Sequence, residues 1–160
     1  MAKQKELKTN AMRILEGMKI PFTHYTYECE EFTDGLQIAQ KLSLPCEKVY
    51  KTLVTQGVSK NYFVFVIPVA EELDLKKAAR SVGEKSVEMI HVKEINAVTG
   101  YIRGGCTAVG MKKQYVTRID ESARTQSTVI VSGGRIGSQI ELKPQDLAKA
   151  SQAEFADLVR

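Results

Sequence analysis

The pattern of hydrophobic and polar positions predicts a chain in which short strands outnumber helices. Apolar residues recur at helical spacing after Asn10 and again over Leu75–Val82, where Asp74 can cap the helix and Gly83 can end it. Three further helices are expected: one after Asp34, one near residues 92–98, and one over residues 145–150 with Pro144 in its first turn.

Segments rich in β-branched and aromatic residues predict the strands. Residues 49–54 and Tyr62–Pro68 flank the polar turn 57–61, so we expect them to form a hairpin. Other strands are predicted over residues 22–28, 87–90, 114–119, 127–131 and 137–142, and an apolar stretch over residues 153–158 follows the last helix. The strand spacing is too irregular for repeated βαβ units. The predicted fold is therefore α+β, a single domain over residues 1–160 with a mixed curved sheet or partial barrel of about six to seven strands and surrounding helices.

Lys51 interrupts the apolar pattern of its strand. With alternating side chains, Val49, Lys51 and Leu53 share one face. An unpaired ammonium on an apolar face is costly, so the side chain must reach water, a fixed anion, or the anion of a ligand. The pattern alone favours a lysine at a sheet edge whose ammonium reaches water.

Composition is that of an ordinary globular protein. The chain has 160 residues, of which 43% are hydrophobic and 26% charged. Cys29, Cys46 and Cys106 are odd in number and lack metal-ligand spacing, so neither a disulfide framework nor a zinc site is expected. The first residues lack the apolar core of a signal peptide, and no run of about 18 apolar residues occurs. We expect a cytoplasmic protein that uses no cofactor and no membrane.

The charge is only mildly basic overall but is unevenly distributed. There are 23 Lys and Arg against 19 Asp and Glu, a formal charge of +4. Between residues 100 and 135, only Asp120 and Glu121 oppose the basic side chains of Arg103, Lys112, Lys113, Arg118, Arg124 and Arg135. This excess could meet phosphates, although such a run is more often a solvated surface.

Two glycine-rich segments, residues 104–113 and 132–137, are candidate binding loops. The first is not a P-loop, because Met111 follows Gly110 and no hydroxyl residue follows Lys112. Both segments offer unobstructed backbone N–H groups that suit an anion or a carbonyl oxygen. Tight turns without a ligand are the alternative.

Candidate nucleophiles are weakly supported by the sequence. Ser132 would need a nearby base, and the chain has only His24 and His91 and no nucleophile-elbow motif. Cys106 is flanked by potential backbone donors that could lower its pKa, but a cysteine in a packed loop usually acts as a small hydrophobe.

An ordered set of short motifs covers nearly the whole chain. They are VYKTLV (49–54), PVA (68–70), LDLKK (73–77), VEM (87–89), GYIRGG (100–105), GMKK (110–113), VSGG (131–134) and IEL (140–142). Together they resemble the YbaK/EbsC family of aminoacyl-tRNA deacylases, relatives of the editing domain of bacterial prolyl-tRNA synthetases.

The resemblance implies a trans-editing hydrolase of mischarged tRNA, with Cys-tRNA(Pro) and less selectively Cys-tRNA(Cys) as substrates. It implies that the substrate thiol attacks the ester while Lys51 and loop amides position the 3′ end, and it leaves open a complex with prolyl-tRNA synthetase. The residues that match the family's site are Lys51 as the essential lysine, with Tyr27, Thr52, Gly104, Gly105, Ser132 and Gly134 as substrate-binding positions.

Two residues depart from the family pattern. Ala108 stands where the glycine loop usually has proline, and Gln139 where relatives often have aspartate. The loop is therefore expected to be more mobile, and selectivity for cysteine over alanine or another small amino acid stays open. A noncatalytic adaptor that binds tRNA or a synthetase is the alternative from another class.

Overall fold

The computed structural model describes residues 8–26, 42 and 44–160. Within this part, the α-helices are α1 (Asn10–Gly17), α2 (Leu75–Val82), α3 (Ile95–Thr99) and α4 (Pro144–Ser151). The strands are β1 (Thr23–Thr26), β2 (Tyr50–Gly57), β3 (Tyr62–Pro68), β4 (Val87–Met89), β5 (Val116–Asp120), β6 (Val129–Ser132), β7 (Ser138–Leu142) and β8 (Glu154–Ala156). The helix predicted after Asp34 and the candidate site residue Tyr27 lie outside the described residues. No helix of the described part is long and apolar enough to cross a membrane.

The strands form two sheets and confirm the predicted α+β class. One sheet has the order β1-β7-β6 and is antiparallel, whereas the other has the order β4-β2-β3-β5-β8 and is mixed. The predicted hairpin is β2 and β3, with Lys51 opposite Ile67. The eight described strands exceed the predicted six to seven because β8 pairs in parallel with β5. Three residues are too few to reveal a strand by alternation.

A single bridge joins the two sheets. Val49, just before β2, forms an isolated parallel bridge with Ile130 of β6. The Val69 N–H donates to the Val49 carbonyl at 2.9 Å, and the side chains of Val49, Val69 and Ile130 pack together as a small buried cluster. The two sheets therefore meet at the start of β2, where the sequence predicted one mixed sheet.

The β2–β3 hairpin separates two hydrophobic clusters. Val64 and Val66 pack with side chains of α1, β6 and β7, whereas Phe65 and Ile67 on the other face pack against α2. The alternation predicted from the sequence thus holds through β3, which is buried on both faces. Because Lys51 pairs with Ile67, it belongs to the α2 face.

Local capping chemistry begins α1 and α2, and at α2 both ends are as predicted. The Thr9 side chain accepts from the Met12 N–H at the start of α1, and the Asp74 carboxylate accepts from the N–H groups of Lys76 and Lys77 at the start of α2. Gly83 ends α2 with a φ of 75°, a conformation that glycine adopts without strain.

A hydrogen-bonded carboxylate ties the edge strand β1 to the middle of its sheet. Glu141 of β7 accepts from the Tyr25 hydroxyl at 2.6 Å and from the Thr128 hydroxyl, and the Lys48 ammonium lies 3.9 Å away. Burial works against its ionisation, but the bonds from Thr128 and Tyr25 and the charge of Lys48 hold the pKa of Glu141 below its usual value.

Replacing this carboxylate should weaken the fold in a pH-dependent way. We expect Glu141→Gln to lower the free energy of unfolding at pH 7 by about 1–2 kcal/mol, because charge-assisted hydrogen bonds are lost. Since the folded pKa is below the unfolded value of 4.5, the contribution is complete above that pH and lost as pH falls through the folded pKa. Urea titrations between pH 7 and pH 3 should show the wild-type and variant curves converge in acid.

Glu88→Gln is the matched control, because Glu88 is an exposed glutamate within β4. Its unfolding curve should stay within about 0.5 kcal/mol of wild type at pH 7. A Glu141→Gln protein as stable as the control at pH 7 would contradict the role given to the carboxylate.

Candidate functional site

Lys51 is half-buried at the start of β2, with little to neutralise its charge. Its ammonium donates to the Val69 carbonyl over a long 3.4 Å, and no carboxylate among the described residues forms an ion pair with it. On the side away from β3, the neighbouring strand β4 pairs only with residues 55–57. The sequence favoured a lysine at a sheet edge whose ammonium reaches water. The absence of β4 beside Lys51 agrees with the edge position, whereas half burial and the bond to the Val69 carbonyl do not agree with an ammonium wholly in water.

The bridge between the sheets brings Lys51 towards the second glycine segment. The segments that contain Val49 and Ile130 run parallel at the bridge. Lys51 lies two residues after Val49, and Ser132 lies two residues after Ile130. Residues that follow a parallel bridge in equal steps leave it in the same direction. Lys51 and the turn that begins at Ser132 thus lie on the same side of the bridge. Thr52 follows Lys51 and pairs with Val66 on the opposite face.

The two glycine segments touch through their backbones. A Cβ atom on Gly105 would lie 2.7 Å from the Arg135 Cα and 3.0 Å from the Ile136 nitrogen. Gly104, immediately before it, has a φ of 87°, which also favours glycine. The loop 104–110 and the turn 132–138 therefore form one surface, and Gly105 is needed for the close approach.

The turn 132–138 is held by its own hydrogen bonds. The Gly133 N–H donates to the Ser138 carbonyl at 2.9 Å, and the Ser138 N–H donates to the Arg135 carbonyl at 3.2 Å. The Ser132 hydroxyl accepts from the Gly134 N–H at 3.1 Å, and Gly134 has a φ of 110°. The sequence-predicted residues Ser132 and Gly134 thus shape a tight turn.

Residues at the start of α1 form hydrogen bonds to both glycine loops. These hydrogen bonds were not predicted from the sequence. Besides capping α1, the Thr9 hydroxyl donates to the Gly133 carbonyl. Asn10, the next residue, donates from its side-chain amide to the Gly110 carbonyl at 3.3 Å. Thr9 and Asn10 are common helix-capping residues, so nothing in the local pattern reveals these long-range partners.

Cys106 lies between the glycines but is not an activated thiol. Burial raises the pKa of Cys106 to about 11, although a hydrogen bond with the Thr99 side chain works in the other direction. A neutral thiol is a poor nucleophile at neutral pH. The packed-loop interpretation of this cysteine agrees with the structure.

His24 forms a serine–histidine contact, but with a buried serine. Its Nε2 lies 2.8 Å from the hydroxyl of Ser138, which has no exposed surface. Burial and the nearby charge of Arg135 lower the pKa of His24, so the ring is neutral at pH 7. A Cβ on Gly133 would lie 2.3 Å from the Ser138 hydroxyl. The serine of this pair is therefore buried within the turn, whereas the histidine is exposed.

Several basic residues of the second half are engaged in the fold. Arg118 donates to the carbonyls of Ser81 and Thr117, and the Lys112 ammonium donates to the Ala97 carbonyl at 3.1 Å. The Arg124 guanidinium lies over the Phe155 ring, 5.7 Å from its centre. Part of the local charge excess is thus structural. No group of three or more His, Cys, Asp or Glu side chains in the described part could hold a metal ion.

Comparison with known proteins decides the family. The model of the aminoacyl-tRNA editing domain matches residues 30–150. The chain belongs to the aminoacyl-tRNA editing domain family. It is 44% identical over 160 residues to EbsC of Enterococcus faecalis, provisionally named a Cys-tRNA(Pro)/Cys-tRNA(Cys) deacylase, covering 99% of this chain and 98% of the relative.

Two solved structures share the fold. One is provisionally described as a trans-editing enzyme for prolyl-tRNA synthetase, with a TM-score of 0.79, 22% identity, and coverage of 97% of this chain and 99% of that chain. The other is a hypothetical protein with a TM-score of 0.83, 21% identity, and coverage of 92% and 97%. The resemblance inferred from the ordered motifs, and the fold it implies, are confirmed.

The two departures from the pattern of this editing family are both buried. Ala108 has 6% of its surface exposed and packs in the cluster that includes Val109 and α1. Gln139 has 4% exposed and pairs across the sheet with Ser132 on one side and Tyr25 on the other. Gln139 therefore lies beside the turn that carries Ser132 and Gly134.

The contact between the loops can be tested by adding one methyl group. We expect Gly105→Ala to lower the free energy of unfolding by about 1–3 kcal/mol, because the new Cβ meets the Arg135 backbone rather than a flexible side chain. Urea denaturation measures this loss.

Gly17→Ala is the control, because a Cβ there meets nothing within 4 Å and the residue lies in α1. This change should leave stability unchanged or raise it by up to about 1 kcal/mol. If both variants behave alike, the two glycine loops do not need their close approach.

Proposed function

We propose that the protein hydrolyses the ester bond of mischarged tRNA, with Cys-tRNA(Pro) as its main substrate and Cys-tRNA(Cys) as a weaker one. Membership of the editing family and the 44% identity to a relative named as such a deacylase support this substrate class. The observation that carries the proposal is Lys51, a half-buried ammonium whose one hydrogen bond among the described residues is long, on the same side of the bridge as Ser132.

The chemistry requires little from the protein. An aminoacyl ester is already activated, so positioning and a few donors suffice to accelerate its cleavage. We assign to Lys51 the role of a fixed cation for the acceptor end, and to Thr52, Gly104, Gly105, Ser132 and Gly134 the binding of that end. The loop amides are candidates to stabilise the negative charge that develops on the ester oxygen.

The substrate thiol serves as nucleophile in this proposal. Its sulfur forms a bond to the ester carbonyl carbon, the bond to the ribose 3′ oxygen breaks, and the thiol proton goes to that oxygen. Water then opens the cyclic thioester. The raised pKa of Cys106 and the burial of Ser138 support a mechanism without a protein nucleophile.

Removing the charge of Lys51 should abolish deacylation. Lys51→Met keeps the apolar stem, so we expect the fold to persist while the rate on Cys-tRNA(Pro) falls by at least about a hundredfold, the scale of a misplaced reacting group. Release of labelled cysteine from the tRNA measures the rate, and the unfolding midpoint checks the fold.

Lys76→Met is the matched control, because Lys76 is exposed on α2. It should deacylate like wild type. Equal rates for Lys51→Met and wild type would refute the role of Lys51, whereas no hydrolysis of any mischarged tRNA by wild type would favour the adaptor. Parallel assays with Ala-tRNA(Pro) and Ser-tRNA(Pro) test the selectivity question raised by Ala108 and Gln139.

We also propose that the protein acts in the cytoplasm alongside prolyl-tRNA synthetase, since its proposed substrate is a product of that enzyme. Gel filtration of the purified proteins with tRNA(Pro) should then show a joint peak that neither protein forms alone. Separate elution at micromolar concentrations would limit the partnership to sharing a substrate.

A further inference from the structure

Two buried polar atoms mark the contact between the glycine loops. Among the described residues, the Thr107 hydroxyl oxygen and the Arg135 Nε are the buried side-chain polar atoms without a hydrogen-bond partner. Thr107 lies two residues after Gly105 in the first loop. Gly105 closely approaches the backbone of Arg135. Buried donors without partners are uncommon and costly, so the guanidinium of Arg135, beside this contact, is a candidate for binding a ligand.

Arg135 is suited to bind an anion. The residue is half-buried, and its guanidinium forms no ion pair with a carboxylate among the described residues. Together with burial, the positive charge of Arg135 lowers the pKa of His24. The two terminal nitrogens of an arginine match two oxygens of a phosphate or carboxylate, and such paired bonds are strong.

The proposed substrate limits which anion this can be. In an aminoacyl-tRNA the carboxyl group of the amino acid is esterified and its amino group is cationic, so phosphodiesters are the anions near the reacting bond. The phosphodiester nearest to the ester joins the terminal adenosine to the preceding cytidine. Arg135 belongs to the turn that touches Gly105, in the loop assigned to the ester end.

We propose that Arg135 binds the phosphodiester between the last two nucleotides of the acceptor end, through the terminal nitrogens of its guanidinium. The inference rests on the proposed function for the identity of the ligand. It gives Arg135 a role in binding that is separate from the role of Lys51 at the ester.

The test uses two small substrates that differ by this phosphodiester, cysteinyl adenosine and the cysteinyl ester of the dinucleotide CpA. We expect Arg135→Gln to raise KM for the dinucleotide about tenfold to a hundredfold, the range of one charge-assisted contact, and to leave kcat nearly unchanged. Hydrolysis of cysteinyl adenosine should not change. Arg135→Lys should recover part of the loss, because it keeps the charge but not the two-nitrogen edge.

Arg124→Gln is the matched control, since it removes one exposed arginine that lies over Phe155, in the turn that precedes β6. It should match wild type on both substrates. Equal losses for Arg135→Gln on the two substrates would assign Arg135 to the ester or to the fold, and no loss on either would remove it from the site.

A binding measurement separates this inference from the proposed function. Fluorescence anisotropy with an uncharged acceptor-stem RNA ending in a single-stranded CCA needs no hydrolysis. Arg135→Gln should lower the slope of log affinity against log salt by about 0.7, the value for one contact to a single strand. An unchanged slope would overturn the phosphate assignment. If wild type hydrolyses neither ester, the proposed function fails and this slope alone decides the role of Arg135.

Discussion

The close contact of Gly105 with the Arg135 backbone is the constraint on which the candidate site depends. Two loops from separate parts of the chain can share one surface only because no side chain stands between them. The contact sets where the loop amides lie relative to the Ser132 turn, and the bridge at Val49 and Ile130 sets where Lys51 lies relative to that turn. Backbone geometry rather than a set of reactive side chains therefore builds the site.

Within the described part of the chain, this arrangement leaves two cations poorly compensated. Lys51 has one long bond to a carbonyl, and Arg135 has a buried nitrogen without a partner. Such groups oppose folding, so the rest of the structure must offset them. The clusters on both faces of β3 and the hydrogen bonds around Glu141 supply that stability away from the loops. A polyanionic substrate would supply the missing partners.

Local chemistry made much of the fold predictable, whereas long-range contacts did not. The hairpin, the cap at Asp74 and the turn at Gly83 follow from residues close in sequence, and the structure has them. The ordered motifs indicated Lys51 and both glycine loops. The bonds from Thr9 and Asn10 to the loops span 124 and 100 residues, and helix-capping residues carry no sign of such partners. The strand β8 was not predicted, because its three residues are extended through pairing with β5 and not through a local sequence pattern.

The two departures from the family pattern differ in consequence. Alanine in place of proline at position 108 was expected to make the glycine loop more mobile. However, Ala108 and Val109 are buried. The Tyr101 hydroxyl donates to the Val109 carbonyl at 2.6 Å, and the Asn10 side chain donates to the Gly110 carbonyl. Packing and hydrogen bonds thus supply the restraint that a proline ring would give.

Gln139 is different, because a neutral amide beside Ser132 replaces the negative charge of an aspartate. A carboxylate there would attract the ammonium group of an aminoacyl ester, whereas an amide can only accept a hydrogen bond from it. Ala108 is therefore a packed and restrained position of the glycine loop, whereas Gln139 is a buried neutral group beside the Ser132 turn.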